Sequence, residues 1–173
     1  TGHKLEAGTI LGDRYKLLSP IGDGASGEVW SAEHLSLGHT LAIKVLRTTM
    51  IGEEAVARFE REARVMARLA DLSRHITRVT EHGITREGTP YLVMEVLRGE
   101  GLDLLLKRER RLSLDRVAAI ITQLCKALTA AHKEGVIHRD IKPANIFITR
   151  NEDDELLVKL LDFGVAKAMA EAG

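Results

Sequence analysis

Between His138 and Asn145 the chain reads HRDIKPAN, which puts an imidazole, a guanidinium, a carboxylate, an ammonium and a carboxamide on one short stretch. Helical periodicity runs ahead of it, and the apolar, partly β-branched NIFIT follows. A carboxylate can accept a proton, a carboxylate and an amide oxygen can hold a hard cation, and an ammonium can neutralise an oxyanion. A charged surface turn would have the same composition, so the stretch has to be weighed with its companions.

Three other patterns accompany it. IGDGASGEV places Gly22, Gly24 and Gly27 ahead of Val29. Glycine lets backbone N–H groups approach phosphate oxygens with no Cβ in the way, although a glycine-rich hairpin turn looks the same. A dinucleotide-binding loop must open a helix. These glycines lie between two strand-like runs, so the expected form is a hairpin flap over a ligand. Lys44, in AIK, sits in an otherwise apolar strand. It either faces solvent, which alternation favours, or is paired with a carboxylate. Glu62 is available for that, one helical turn after Phe59 and one before Met66, on or beside the apolar face. A surface pair with a neighbouring Arg is the plainer reading of Glu62. DFG, at 162–164, is a turn signal on its own. With Asn145 upstream, Asp162 could also give oxygen ligands to Mg²⁺.

These side chains need elements to hold them. YKLLSPIG (15–22), EVWSAEH (28–34) and TLAIKVL (40–46) read as strands, and Phe59, Ala63, Met66 and Leu69 recur at helical spacing from Glu54 to about Ala70. YLVMEV (91–96) is another strand. Leu102, Leu105 and Leu106 mark a short helix. Ser113 is the expected N-cap of a longer one that ends at Gly135, with Leu114, Val117, Ile121, Leu124, Leu128 and Ala131 down one face. NIFIT and LLVKLLDF, joined by RNEDDE, close the series as two strands. The order predicts an α+β fold, a mainly β part with one helix followed by a mainly helical part, with the change near 97–101.

Bulk properties narrow the classes. The chain has 173 residues, 25 Lys plus Arg against 25 Asp plus Glu, and one cysteine. A zero net charge argues against sequence-independent binding of nucleic acid. The charge-free run 117–125 is too short to span a bilayer. Lone Cys125 excludes an internal disulfide and fits a reducing, cytoplasmic setting. The first residues carry no secretory signal, and the chain does not begin with Met, as if cut from something longer.

A glycine-rich hairpin, a strand lysine, a helix glutamate, HRDIKPAN and DFG follow one another in order, each on the element it requires. The set closely resembles the eukaryotic-type protein kinases, and HRDIKPANIFI and VKLLDFGVAKAM resemble the bacterial serine/threonine branch most. The resemblance runs from Tyr15 to the end, with 1–14 as an extension. It implies a protein-kinase-like fold with an N-lobe at 15–97 and part of a C-lobe at 98–173. It also implies ATP and Mg²⁺ as cofactors and a protein bearing Ser or Thr as the partner. By the same resemblance Gly22, Gly24 and Gly27 cover ATP. Ile21, Val29, Ala42 and Phe147 sandwich the adenine, Met94 backs the pocket, and Glu95 and Leu97 bond the adenine edge through their backbones. Lys44 holds the α- and β-phosphates and pairs with Glu62. Asn145 and Asp162 hold Mg²⁺. Asp140 orients the attacking hydroxyl and accepts its proton, while Lys142 contacts the γ-phosphate, as in serine/threonine kinases. His138 is expected to pack beneath Phe163 and orient the loop, and Arg139 resembles the arginine that meets an activation-loop phosphate.

There are departures. LSRHITRV replaces the usual His-Pro-Asn pattern after the helix, which leaves the route into the next strand open. The usual ribose-contacting position falls on Gly101. No Ala-Pro-Glu segment lies within the chain, so the sequence reads as an incomplete kinase domain that leaves an apolar face of the long helix exposed and prone to self-association. The setting is read as cytoplasmic, including the cytoplasmic part of a membrane-anchored protein. Two rivals stand beside an active protein kinase. One is a non-catalytic nucleotide-binding pseudokinase. The other is a small-molecule kinase, which Lys142 disfavours.

Overall fold

The structure is a computed structural model, and it describes residues 5–24, 27–47 and 52–163. It divides into two compact units, one of Thr1–Arg64 with Val79–Val96 and the other of Val65–Arg78 with Leu97–Val165. The placement of 65–78 in the second unit differs from the division read off the sequence.

The first unit is an antiparallel sheet. Its strands are β1 (Ile10–Leu11), β2 (Tyr15–Gly24), β3 (Gly27–His34), β4 (Thr40–Leu46), β5 (Val79–Ile84) and β6 (Pro90–Met94), in the order β1-β2-β3-β4-β6-β5. Two of these, β1 and β5, had no clear sequence signal, being too short or too polar. One sheet face carries the core: Tyr15, Leu17, Trp30, Ala32, Leu41, Ile43, Val45, Tyr91 and Val93 cluster there. Leu17, Ala32 and Ile43 are fully buried, and each such Leu or Ile contributes roughly 1.5–3 kcal/mol. The helix α1 (Glu53–Leu72) begins in this unit, where Phe59 packs edge-on against His82 at 5.8 Å between ring centroids.

The second unit joins a small sheet to two helices. Strands β7 (Gly99–Gly101), β8 (Ile146–Arg150) and β9 (Leu156–Leu160) pair antiparallel in that order. Helices α2 (Leu102–Glu109) and α3 (Leu114–Lys133) precede a single 3-10 turn at Pro143–Asn145. Ser113 caps α3 as expected, its hydroxyl accepting from the Arg116 amide at 3.3 Å. Gly135, at φ 73°, ends the helix in the left-handed conformation.

Three expectations need correction. The buried stripe of α3 is Ile120, Leu124, Ala127 and Ala131, while Leu114 and Ile121 are 86% and 49% exposed. Spacing of apolar residues fixed the period but not the phase, because this helix is apolar over more than one face. Strand β9 stops at Leu160 rather than running on to Phe163, and Asp162 has left-handed backbone geometry at φ 50°. Asn145 belongs to the 3-10 turn, one residue before β8. Among the described residues no helix is long and apolar enough to cross a membrane.

The LSRHITRV segment, whose course the sequence left open, docks on the edge of β9. The Leu160 amide donates to the His75 carbonyl at 2.7 Å, and the Thr77 amide and hydroxyl both donate to the Leu160 carbonyl, at 3.2 and 3.1 Å. The ring nitrogen Nδ1 of buried His75 donates to the Val158 carbonyl at 3.0 Å. From α3, Gln123 gives its amide N–H to the Leu156 carbonyl and takes the Val158 amide, at 3.0 and 2.8 Å. These bonds fix β9, the strand that leads into DFG.

Candidate active site

The expected site residues fall into two sets, one in each unit. In the first unit the ladder places Val29 opposite Lys44 and Ala42 opposite Met94. Directly opposed residues share a face, and so do residues two apart on one strand. Val29, Ala42, Lys44 and Met94 therefore lie together on the sheet face opposite the core cluster. Alternation had put Lys44 on that face, and it does lie there, but the face is covered. Lys44 is only 4% exposed, in a strand whose residues from Leu41 to Leu46 are all buried. A buried ammonium needs an anion to balance its desolvation. Glu62, on α1, is half-buried with its Oε2 fully enclosed.

The three glycines of the β2–β3 hairpin are not equivalent. A Cβ on Gly27 would lie 2.2 Å from the Val45 carbonyl oxygen, so this glycine is required by close approach to β4. A Cβ on Gly24 would meet only the Gly27 carbonyl at 4.0 Å, and on Gly22 only Val29 at 3.6 Å. The backbone at Gly22 and Gly24 is thus open to a ligand. Ile21, beside them, is exposed, while Glu95 at the end of this unit is half-buried.

In the second unit the loop between α3 and β8 carries HRDIKPAN. His138, 1% exposed, packs its ring against Phe163 with centroids 4.7 Å apart. Its Nδ1 accepts from the Asp140 amide at 3.2 Å, and its Nε2 lies 2.6 Å from the Leu161 carbonyl. An acceptor nitrogen needs its lone pair, so the proton sits on Nε2 and is donated to Leu161. One imidazole thereby ties the Asp140 backbone to the residue before Asp162. Arg139 takes up φ 65°, which a non-glycine residue holds only where the surroundings impose it.

Asn145 gathers the rest. Its Nδ2 donates to the Asp140 carbonyl at 2.9 Å and to Asp140 Oδ2 at 3.2 Å, and its carbonyl accepts from the Leu161 amide at 2.8 Å. With Nδ2 so committed, the amide presents Oδ1 as an oxygen ligand. Lys142 Nζ lies 3.3 Å from Asp140 Oδ2. Asp140, Lys142 and Asn145 are therefore brought together, and two bonds hold the main chain of Leu161, the residue before Asp162, one with the Asn145 carbonyl and one from the His138 ring. A neutral amide oxygen and a carboxylate are the hard donors that Mg²⁺ takes together with phosphate oxygens, so the donor set fits that ion. Phe147, on β8 opposite Gly101, and Leu97 are half-buried. Gly164 lies outside the described residues.

Residues 15–173 match the protein kinase domain. The chain belongs to the protein kinase family. It is 41% identical over 170 residues to serine/threonine-protein kinase PknA of Mycobacterium tuberculosis, covering 95% of this chain and 38% of that protein. It is 40% identical over 172 residues to serine/threonine-protein kinase A of Synechocystis sp., covering 94% of this chain and 33% of the other. The chain thus spans roughly a third of the length of these curated kinases. Its fold superposes on the crystal structure of the M. tuberculosis PknI kinase domain with a TM-score of 0.77, at 31% identity, over 94% of this chain and 64% of that one. The protein-kinase-like α+β fold is thereby established for this chain.

Sequence and family resemblance name the expected site residues described above but miss what braces them. His75, Thr77 and Gln123 anchor β9, and Arg47 contacts the glycine hairpin. The only advance signal was the polar RHIT run set between apolar segments.

Proposed function

We propose that the protein of which this chain forms part transfers the γ-phosphate of ATP to serine and threonine hydroxyls of proteins, with Mg²⁺. The observation that carries this reading is the joint anchoring of Asp140, Lys142 and Asn145 in one loop braced by His138. Such a loop presents a proton acceptor, an ammonium and a cation ligand at fixed spacing. Phosphoryl transfer needs little else from the protein than positioning and compensating charge.

In this reading Asp140 orients the acceptor hydroxyl and takes its proton. The hydroxyl oxygen forms its bond to the γ-phosphorus as the bond to ADP breaks and the electron pair leaves with ADP. Lys142 lies beside the transferred group and offsets its charge. The glycine hairpin covers the polyphosphate, and Lys44, oriented by Glu62, binds its α- and β-oxygens. Val29, Ala42, Met94, Ile21 and Phe147 take the adenine, with the Glu95 and Leu97 backbones at its edge. Asn145 Oδ1 and the Asp162 carboxylate would hold Mg²⁺, which when bound neutralises the phosphate oxygens and fixes their orientation.

The test is incubation of the full-length protein with ATP labelled at the γ-phosphate and an unstructured protein rich in Ser, Thr and Tyr. Label should appear on serine and threonine, not tyrosine, and should vanish when EDTA removes Mg²⁺. Nucleotide binding without any transfer would instead favour the non-catalytic reading.

A further inference from the structure

Arg47 directly follows β4, whose last residue, Leu46, stands opposite Gly27 in the ladder. That register sets its guanidinium beside the glycine hairpin. Nη1 donates to the Gly24 carbonyl at 2.7 Å, and Nη2 donates to the Asp23 carboxylate. The same Nη2 lies 3.9 Å from Glu28 Oε1 on the other arm. One planar cation thus reaches both arms of the hairpin, and its rigid fork fixes the spacing of two of the contacts.

Stability is not what this cluster supplies. The side chains of Arg47, Asp23 and Glu28 are 47%, 70% and 37% exposed, and exposed ion pairs contribute little to folding. Its effect is local. Asp23 stands between Gly22 and Gly24, the two glycines whose backbone is open to a ligand. A bare carboxylate there repels a polyphosphate, and Gly24, in the last pair of the β2–β3 ladder, would have its carbonyl held less firmly. Arg47 counters both.

We propose that Arg47 is a positioning residue for ATP, neutralising Asp23 and holding the Gly24 carbonyl so that the hairpin can receive the polyphosphate. This rests on the reading of that hairpin as the phosphate cover. It requires a loss specific to the phosphates, which a merely structural role would not give.

The experiment measures affinity for MgATP and for adenosine, and the melting temperature, in the full-length protein and its Arg47→Ala, Asp23→Asn and double variants. Arg47→Ala should weaken MgATP binding by about tenfold, one charge–charge coupling, while adenosine affinity and melting temperature stay as in the wild type. Adding Asp23→Asn to Arg47→Ala should restore most of the loss, because the repelling carboxylate is gone. If Arg47→Ala binds MgATP as the wild type does, loses adenosine equally, or is not rescued by Asp23→Asn, the proposal fails while the kinase reading stands. Wild-type protein that binds no MgATP would overturn both.

Discussion

His75 shows how one residue can carry a measurable signature. Burial holds its pKa below the usual histidine range, and the cations Arg74, Lys126 and Lys159 push the same way, against the Val158 carbonyl that favours the charged ring. The folded state therefore resists protonation that the unfolded chain accepts. Above the unfolded histidine pKa of about 6.5 both states are neutral and stability is whole. As pH falls below that value the unfolded state gains protons first, so stability drops until the folded ring also titrates. His75→Asn places a non-titrating amide where Nδ1 donates to Val158. Thermal melts from pH 7.5 down to 5.5 should show a shallower loss for the variant than for the wild type, and parallel curves would remove His75 from this role. At this scale the sequence singled out Lys44, Asn145 and Asp162 by residue type and setting, while Asp140 takes its expected role from the family resemblance. It was least legible where a polar side chain serves only a backbone partner distant in sequence. His75 and Gln123 reach residues 83 and 33 or 35 positions away, and no local pattern encodes such a partner.

At the scale of elements the β2–β3 hairpin separates folding from ligand contact. Gly27→Ala drives a methyl into the Val45 carbonyl at 2.2 Å, and relief requires β3 to move away from β4. A loss of about 2 kcal/mol or more in denaturant unfolding is expected, in line with backbone strain and overpacking. Gly24→Ala meets nothing closer than 4.0 Å, so its unfolding should match the wild type within about 0.5 kcal/mol. Equal losses for the two would contradict this division of roles. Nothing local in the sequence ranks these glycines, since their demands come from different neighbours. Strand β4, to the residue, and the cap of α3 are legible there, because a period-two run and a Ser N-cap are local signals. The phase of α3 was missed, for its apolar residues occupy two faces and only the packing of the second unit selects one.

For the molecule as a whole, order along the chain carried more than any single motif, and the family match to residues 15–173 agrees with it. The apolar side chains of Leu114, Val117 and Ile121 are exposed on α3. A polypeptide of residues 1–173 should for that reason self-associate, and light scattering would detect it. Such a fragment is expected to hold a peptide substrate less well than the full-length protein. Since positioning two substrates in line supplies much of the rate, and a misplacement of about 1 Å costs on the order of a hundredfold, its protein phosphorylation should fall at least that far below the full-length protein. Similar turnover for the two would show that the loop around Asp140 is organised well enough without further packing.

The most direct test of the account joins binding and transfer in one variant. Asp140→Asn keeps the side-chain shape beside Asn145 and Lys142 but removes the proton acceptor. MgATP affinity in the full-length protein should stay within about threefold of the wild type, because Asp140 is assigned to the hydroxyl rather than the nucleotide. Phosphate transfer to protein should drop by roughly a hundredfold to ten-thousandfold. Transfer at the wild-type rate would contradict the reading of HRDIKPAN as the reaction platform.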